Sequence, residues 1–531
     1  MDDETMHGAG HGCAICQAGS GHVHPHDHGE GPDRRLILAA LAGGSAMAML
    51  PARAAVARTA RPAAQRRGPL ILEPSLTLVW KEGKAEILRD HSIVIEGDSI
   101  ARIVEGRVPG RDERIAMPGQ LLVPGLISAH THTACGSPTR GLIESGGRSY
   151  ARPLVIMDGL DDADLDALTA YNLAELLRGG CTTQVEQSVS LKQAQSYVRV
   201  ARRWGVRGFP GGMVPGWTRL MPIWRRKDDK VLFDSVADTL AEIDANLAFA
   251  LSVNGAEGGL IRPMMTPHGP ETHTPETLRA VAQAALKLGN GIHTHLATGA
   301  ADSERIRALW GKGPVQWIEE FGFYEQRLFG AHMTGWDAAG DAPFLAKKPL
   351  FTFAHCPSGA GAGSGQANQP FIEALGSGIN SAIGIDTHSN DMVENMKLAL
   401  LYGRARYDLL AKTSPVPVKR PTVTDMIAAA TINPANGLGR SDLGRIAVGA
   451  KADLTSIDLS GFLTGPGFAP PEPLNNLLYA NGLSVRNVMT GGRLQLRDGH
   501  LVVDDEAQVI ARGAAVVQRI WRQLTEEGWF A

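Results

Sequence analysis

Several things are scarce in this chain, and each scarcity excludes something. Cysteine is one: five in 531 residues, an odd and dispersed set (Cys13, Cys16, Cys135, Cys181, Cys356) that is no disulfide framework. Net charge is another. The chain carries 52 basic against 55 acidic residues, a formal charge of −3, so it lacks the cationic excess of a nucleic-acid binder. No apolar run reaches the roughly 20 residues needed to span a bilayer. Aromatic residues make up only 5 % while glycine numbers 62. That balance suits a loop-rich α/β enzyme and not a coiled coil or a disordered chain.

What is present begins with an address. Residues 1–30 are polar, with His7, His11, His22, His24, His26 and His28 around Cys13-Ala-Ile-Cys16. Then come Asp33-Arg34-Arg35, an apolar stretch from Leu36 to Leu50, and Pro51-Ala52-Arg53-Ala54. Paired arginines, a short apolar region and an Ala-x-Ala site read as a twin-arginine signal. Residues 1–54 are therefore expected to be this signal with its His/Cys-rich leader, recognised by the twin-arginine export machinery. The mature protein is expected to be periplasmic or secreted. Metal binding by the Cys-x-x-Cys leader is the weaker reading, because ligands ahead of a signal are lost on cleavage. Residues 55–68 read as a linker.

Residues 69–121 read as short strands separated by turn residues such as Gly83 and Gly97-Asp98: Leu70–Trp80, Ala85–Leu88, His91–Glu96 and Ser99–Val104. From Leu121 the pattern changes to alternating strand and helix. Candidate strands are Leu121–Ala129, Cys181–Val185, Val206–Phe209, Arg262–Thr266, Gly291–Thr294, Leu328–Ala331, Leu350–Ala354 and Ser381–Ile385. Helical periodicity covers Asp162–Arg178, Pro275–Leu288, Ala301–Phe321 and Met392–Leu410. Eight strands with helices between them, over roughly 310 residues, predict an α/β fold: a (β/α)8 TIM barrel at 122–440. A doubly wound sheet would want a glycine-rich phosphate turn after its first strand, where this chain has His-Thr-His. Strand patterns return at Gly444–Ile446, Ala452–Ile457, Val485–Thr490, Arg493–Arg497 and His500–Val503. Segments 69–121 and 441–510 are expected to form one small β-sandwich domain, followed by a C-terminal helix in 511–531.

In a barrel the chemistry sits at the C-terminal ends of the strands. Those ends carry His130 and His132, Glu186, His268, His293 and His295, His332, His355, and Asp386 with His388. A single histidine at a strand end is usually packed or solvated. So many at one end of successive strands is hard to attribute to chance. His130 and His132 alternate with Thr131, so both point to one face, and neutral imidazole is a good ligand for zinc, iron or nickel.

Here the chain resembles the amidohydrolase superfamily, in particular the aminohydrolase branch containing chlorohydrolases and deaminases of triazines and purines. The resemblance rests on Val123-Pro-Gly-Leu-Ile-Ser-Ala-His130-Thr-His132, Thr266-Pro-His268, His293-Thr-His295-Leu-Ala297, Ala331-His332, Ala354-His-Cys-Pro-Ser358, Gly384-Ile-Asp386 and Gly449-Ala-Lys-Ala-Asp-Leu454. It implies one divalent metal, zinc first and iron as the alternative, held by His130, His132, His295 and Asp386. Bound water then reaches a pKa near ~7. Asp386 is expected to shuttle the proton, His332 to hydrogen-bond the water or oxyanion, and His268, Thr298 and Ser358 to contact substrate. Two-metal members use a strand-four lysine; residues 262–268 have none, which favours one metal.

One position departs from the pattern. Deaminases of this branch carry a glutamate three residues after the strand-five ligand; here it is Thr298. General acid assistance is worth about 10²–10⁴-fold. Either Glu186 or Glu144 compensates, or the substrate is a carbonyl compound that needs no ring protonation. The second is preferred, so the expected reaction is hydrolysis of an amide, carbamate, urea or cyclic amide. The alternatives are a deaminase or chlorohydrolase of an N-heterocycle, or a catalytically dead binding module on the same fold. The resemblance also suggests a homo-oligomer.

Overall fold

The computed structural model describes residues 68–142, 151–224, 235–362, 369–465 and 470–529. The expected signal and its leader, almost all of the expected linker, and Glu144 lie outside them.

Eight parallel strands form the barrel. Leu126–Thr131, Cys181–Ser188, Arg207–Val214 and Thr266–Pro267 make one half; Ile292–Leu296, Leu328–His332, Phe351–His355 and Ser381–Ile383 make the other. Two single bridges close the ring, Met265 with Ile292 and Thr131 with Asp386. The second closure therefore falls on Asp386, an expected metal ligand, and on Thr131, which stands between two others. The interior is filled mainly by small and flat side chains, including Ala129, Phe209, Phe329, Ala331, Ala354 and Ala382.

The helices between strands follow their local signals. In Pro275–Leu288, Thr274 caps the first turn in a reciprocal box with Thr277, and Gly289 at φ 82° ends the helix. Leu278, Val281, Ala282, Ala285 and Leu288 recur on the buried face. Asp161 caps Asp162–Arg178 by accepting from the Asp164 amide at 2.9 Å. The C-terminal helix starts earlier than expected, at Glu506, and runs to Glu526. It lies along Asp162–Arg178, where Gly513 lets the two backbones approach: a Cβ there would stand 2.4 Å from the Tyr171 Cβ.

The segments before and after the barrel share one continuous nine-stranded sheet. They join where Glu113–Pro124 pairs antiparallel with Leu454–Asp458. This sheet alters the reading of the Leu121–Ala129 run. Its first residues, to Pro124, belong to the small sheet; the chain breaks at Gly125, and the barrel strand begins at Leu126. A Cβ on Gly125 would stand 2.3–2.9 Å from Thr182, so only glycine passes there. An apolar run shows no internal boundary when both halves are buried.

Other elements differ for equally local reasons. The expected helix Ala301–Phe321 is split by Gly311, Gly313 and Pro314 into Ala300–Trp310 and two short turns. Gly444–Ile446 is a bend, with Gly444 at φ 66°. Strand four shrinks to Thr266–Pro267, because prolines at 263 and 267 cannot donate to a ladder.

Candidate metal centre

The end of strand one and the end of strand eight are tied together. The His130 carbonyl accepts from the amides of Ile385 (2.8 Å) and Asp386 (3.0 Å). Asp386 is held at φ 63°, a conformation that places its carboxylate beside His132: Oδ1 lies 3.5 Å from His132 Nε2. From across the barrel, His295 brings its Nε2 to 3.3 Å from the same atom. Candidate ligand atoms of His130, His132 and His295 all lie within 4.8 Å of one another.

Each ring is oriented by a second group. His132 Nδ1–H donates to the Gln187 carbonyl, and His295 Nδ1–H donates to the His268 carbonyl at 2.8 Å. A carbonyl only accepts, so in both rings Nε2 keeps the lone pair and turns it inward. His130 Nδ1 meets His293 Nε2 at 2.8 Å, and His130 Nε2, fully buried, has no protein partner. Burial, followed by the neighbouring histidines, holds His130 and His295 well below the usual histidine range; burial brings His132 down to about 4. Neutral, inward-facing imidazoles with one carboxylate are a donor set for a divalent metal. The residues present fit the group the resemblance implies. Strand four adds no lysine to bridge a second ion.

His332 faces the same space. It sits at φ 74°, stacks on His295 with centroids 5.3 Å apart, and both of its ring nitrogens are buried without a partner. With Cys356 and His130 it forms an overlapping cluster of potential ligand atoms. Burial holds His332 at about 3, so near neutrality it carries one N–H and one lone pair.

The other expected residues are placed more variously. Glu186 commits both carboxylate oxygens away from the cluster: it accepts from the Thr133 amide (3.0 Å), the Thr133 hydroxyl (2.6 Å) and the Ser188 hydroxyl (2.7 Å). These bonds brace the turn after His132. Burial pushes Glu186 up to about 7, against those hydrogen bonds. Ser358 donates to Asn395 Oδ1 at 2.7 Å, which ties it to helix Met392–Leu410. Thr298 is fully buried with a hydroxyl that has no partner. His268 packs on His295 with centroids 5.0 Å apart. His355 is stacked on Phe371 at 4.3 Å, a packing role, and His388 lines a separate cavity with Arg140 and Tyr171.

Sequence reasoning missed two features. Gln187 acts through its backbone carbonyl, which leaves no trace in residue type. Glu271, buried three residues after His268, places Oε1 3.3 Å from His268 Nδ1. Near it, burial and the Glu271 charge raise Asp302 to about 7 despite Arg305 at 3.2 Å. The proximity of Glu271 to a strand-four histidine was the available signal.

A barrel with this inward donor set defines a metal-dependent hydrolase class. Residues 121–494 match the Amidohydrolase family, and the chain belongs to it. It is 30 % identical over 449 residues to a 5-methylthioadenosine/S-adenosylhomocysteine deaminase of Desulfitobacterium hafniense, covering 80 % of this chain and 93 % of the relative. A 5'-deoxyadenosine deaminase of Methanosarcina acetivorans is 26 % identical, over 81 % of this chain and 93 % of its own length. In fold the chain is similar to a zinc-bound adenosine deaminase from Xanthomonas campestris (TM-score 0.69, 22 % identity, 85 % and 98 % covered). It is likewise similar to a zinc complex of atrazine chlorohydrolase from Arthrobacter aurescens (TM-score 0.70, 21 % identity, 84 % and 100 % covered).

Proposed function

We propose that the protein hydrolyses the exocyclic carbon–nitrogen bond of a planar N-heterocycle of the aminopurine type, releasing ammonia, with one zinc ion. The observation that carries the proposal is the inward convergence of His130, His132, His295 and Asp386 beneath His332, in a chain whose 30 %-identical relative is named a deaminase. This reverses the preference for a carbonyl substrate drawn from Thr298 alone.

When bound, the metal supplies an activated water at neutral pH. Asp386, one of the residues that would hold the metal, would keep the proton of the attacking water on its carboxylate and pass it to the departing nitrogen. His332 donates its single N–H to the oxygen that gains negative charge. Glu186 keeps the turn carrying Thr133 in place, and so keeps His132 aligned. Thr298 stands three residues after His295, where the resembling deaminases carry a glutamate. The carbonyl reading therefore stays as the second one, favoured by that single residue.

The test is a panel on zinc-loaded enzyme: aminopurine nucleosides, free aminopurines and aminotriazines against amides, carbamates, ureas and cyclic amides. Ammonia release from the heterocycles is expected. Turnover confined to the carbonyl compounds would reverse the assignment. Export through a twin-arginine signal with cleavage near Ala54 is part of the proposal; Met1 at the N-terminus of exported protein would contradict it.

A further inference from the structure

The opposite end of the barrel holds a second polar cleft, of about 400 Å³, between the N-terminal ends of strands three and four and one side of the small sheet. Four of its cations are matched. Arg207 makes a two-point pair with Asp453 (2.6 and 3.1 Å), Arg440 with Asp442 (2.7 and 2.8 Å), Arg202 with Glu257 (2.9 Å) and Lys451 with Asp98 (2.5 Å). Two are not. Arg262 and Arg493 line the same cleft and form no salt bridge among the described residues. Arg493 lies across the end of helix Leu191–Trp204, made possible by Gly205, and gives one long hydrogen bond to the Arg203 carbonyl at 3.4 Å. A third donor is spare as well. The Arg440 side chain is only 8 % exposed, yet its Nη1 has no partner.

We propose that this cleft binds a compact dianion of the phosphate class, held by Arg262, Arg440 and Arg493. The excess is two positive charges, which matches a dianion and exceeds what chloride neutralises. Guanidinium groups present paired N–H donors in the geometry of phosphate oxygens. The cation excess carries its own cost: burial and the Arg440 charge both weigh against the Arg262 cation. A buried guanidinium nitrogen without an acceptor is costly, and a phosphate oxygen would remove that cost. The cleft bridges barrel and small sheet, because Arg207 and Arg262 come from the first and Asp98, Lys451 and Arg493 from the second. A ligand here would therefore strengthen the junction of the two domains without touching the metal centre.

The experiment uses zinc-loaded full-length protein and inorganic phosphate, titrated against chloride at constant ionic strength. Calorimetry should show one saturable site, and a hundredfold excess over Kd should raise Tm by about 3 °C. The double variant Arg262→Gln/Arg493→Gln should bind at least tenfold more weakly. In chloride it should be as stable as the parent or more so, because a repulsion is gone, with its basal activity unchanged. Absence of a saturable site, or undiminished binding in the double variant, overturns the proposal; the latter places phosphate elsewhere, for example on the metal. A variant that loses Tm in chloride overturns it too, since the arginines would then be structural.

Discussion

The two ends of the barrel follow opposite electrostatic plans. At the C-terminal end His130, His132, His268, His293, His295 and His332 are buried together with the carboxylate of Asp386, and Glu271 stands beside His268. Burial holds His130, His132, His293, His295 and His332 below the usual histidine range, and several polar atoms there meet no protein partner. The backbone is strained as well: Ala297, His332, Met333 and Asp386 all take positive φ at the ends of strands five, six and eight. Each such residue costs on the order of 1 kcal/mol. At the N-terminal end charges are mostly paired, as in Arg207–Asp453 and Arg440–Asp442, and these pairs fasten barrel to sheet. Buried imidazoles and a run of positive-φ residues thus meet at one end, and mostly matched ions at the other, where Arg262, Arg493 and the Arg440 Nη1 are left over among the described residues of the cleft.

The contrast is open to attack at several points. Asp386→Asn should cut kcat/KM by about 10³-fold or more, with zinc content reduced in elemental analysis and little loss of Tm in the metal-free protein. A stable loss of fold instead would make Asp386 a structural residue. Asp453→Asn should do the reverse. It strands the buried Arg207 and should cost about 3–5 kcal/mol in urea unfolding, with kcat/KM little changed below the transition.

Acid should also separate the ends. Burial holds His132 at about 4 and His332 at about 3, below the ordinary 6.5. Their neutral forms support the fold above pH 6.5, and that support is lost as pH falls towards the folded values. Metal-free protein should therefore lose up to about 1.4 kcal/mol per pH unit for each histidine that must take up a proton, between pH 6.5 and 4. A Tm that stays flat across that range in the presence of chelator would erase the contrast. Gly125→Ala, at the passage between domains, should cost about 1–3 kcal/mol through overlap with Thr182. The smallest effect is expected for Thr298→Val. Its hydroxyl has no partner, so stability should hold or rise by about 0.5–1 kcal/mol, and a clear loss on thermal melting would reveal a hidden hydrogen bond.

Much of the site was legible because its ligands sit at strand ends, where period-two alternation and the barrel rule fix direction. His130 and His132 needed only their spacing. The helix Pro275–Leu288 announced itself through Thr274, Pro275 and its apolar stripe. What escaped reading lacks a residue signature. The Gln187 carbonyl belongs to the backbone. Glu186 looked catalytic by position, but Thr133 and Ser188 take up its oxygens. Ser358 sat in a resembling motif, yet its hydroxyl goes to Asn395. The change of domain at Gly125 falls within an apolar run that reads as one strand, because both halves are buried.

Taken alone, the order of residues pointed to the barrel, offered histidine and aspartate as candidate metal ligands, and left no lysine on strand four. These follow from local periodicity and from chemistry that only certain side chains can perform. Tertiary structure decided which polar groups face one another: Asp386 beside His132, Glu271 beside His268, and two arginines left over at the base of the barrel. Those are distances between segments far apart in the chain, and only closure of the barrel and its union with the small sheet sets them.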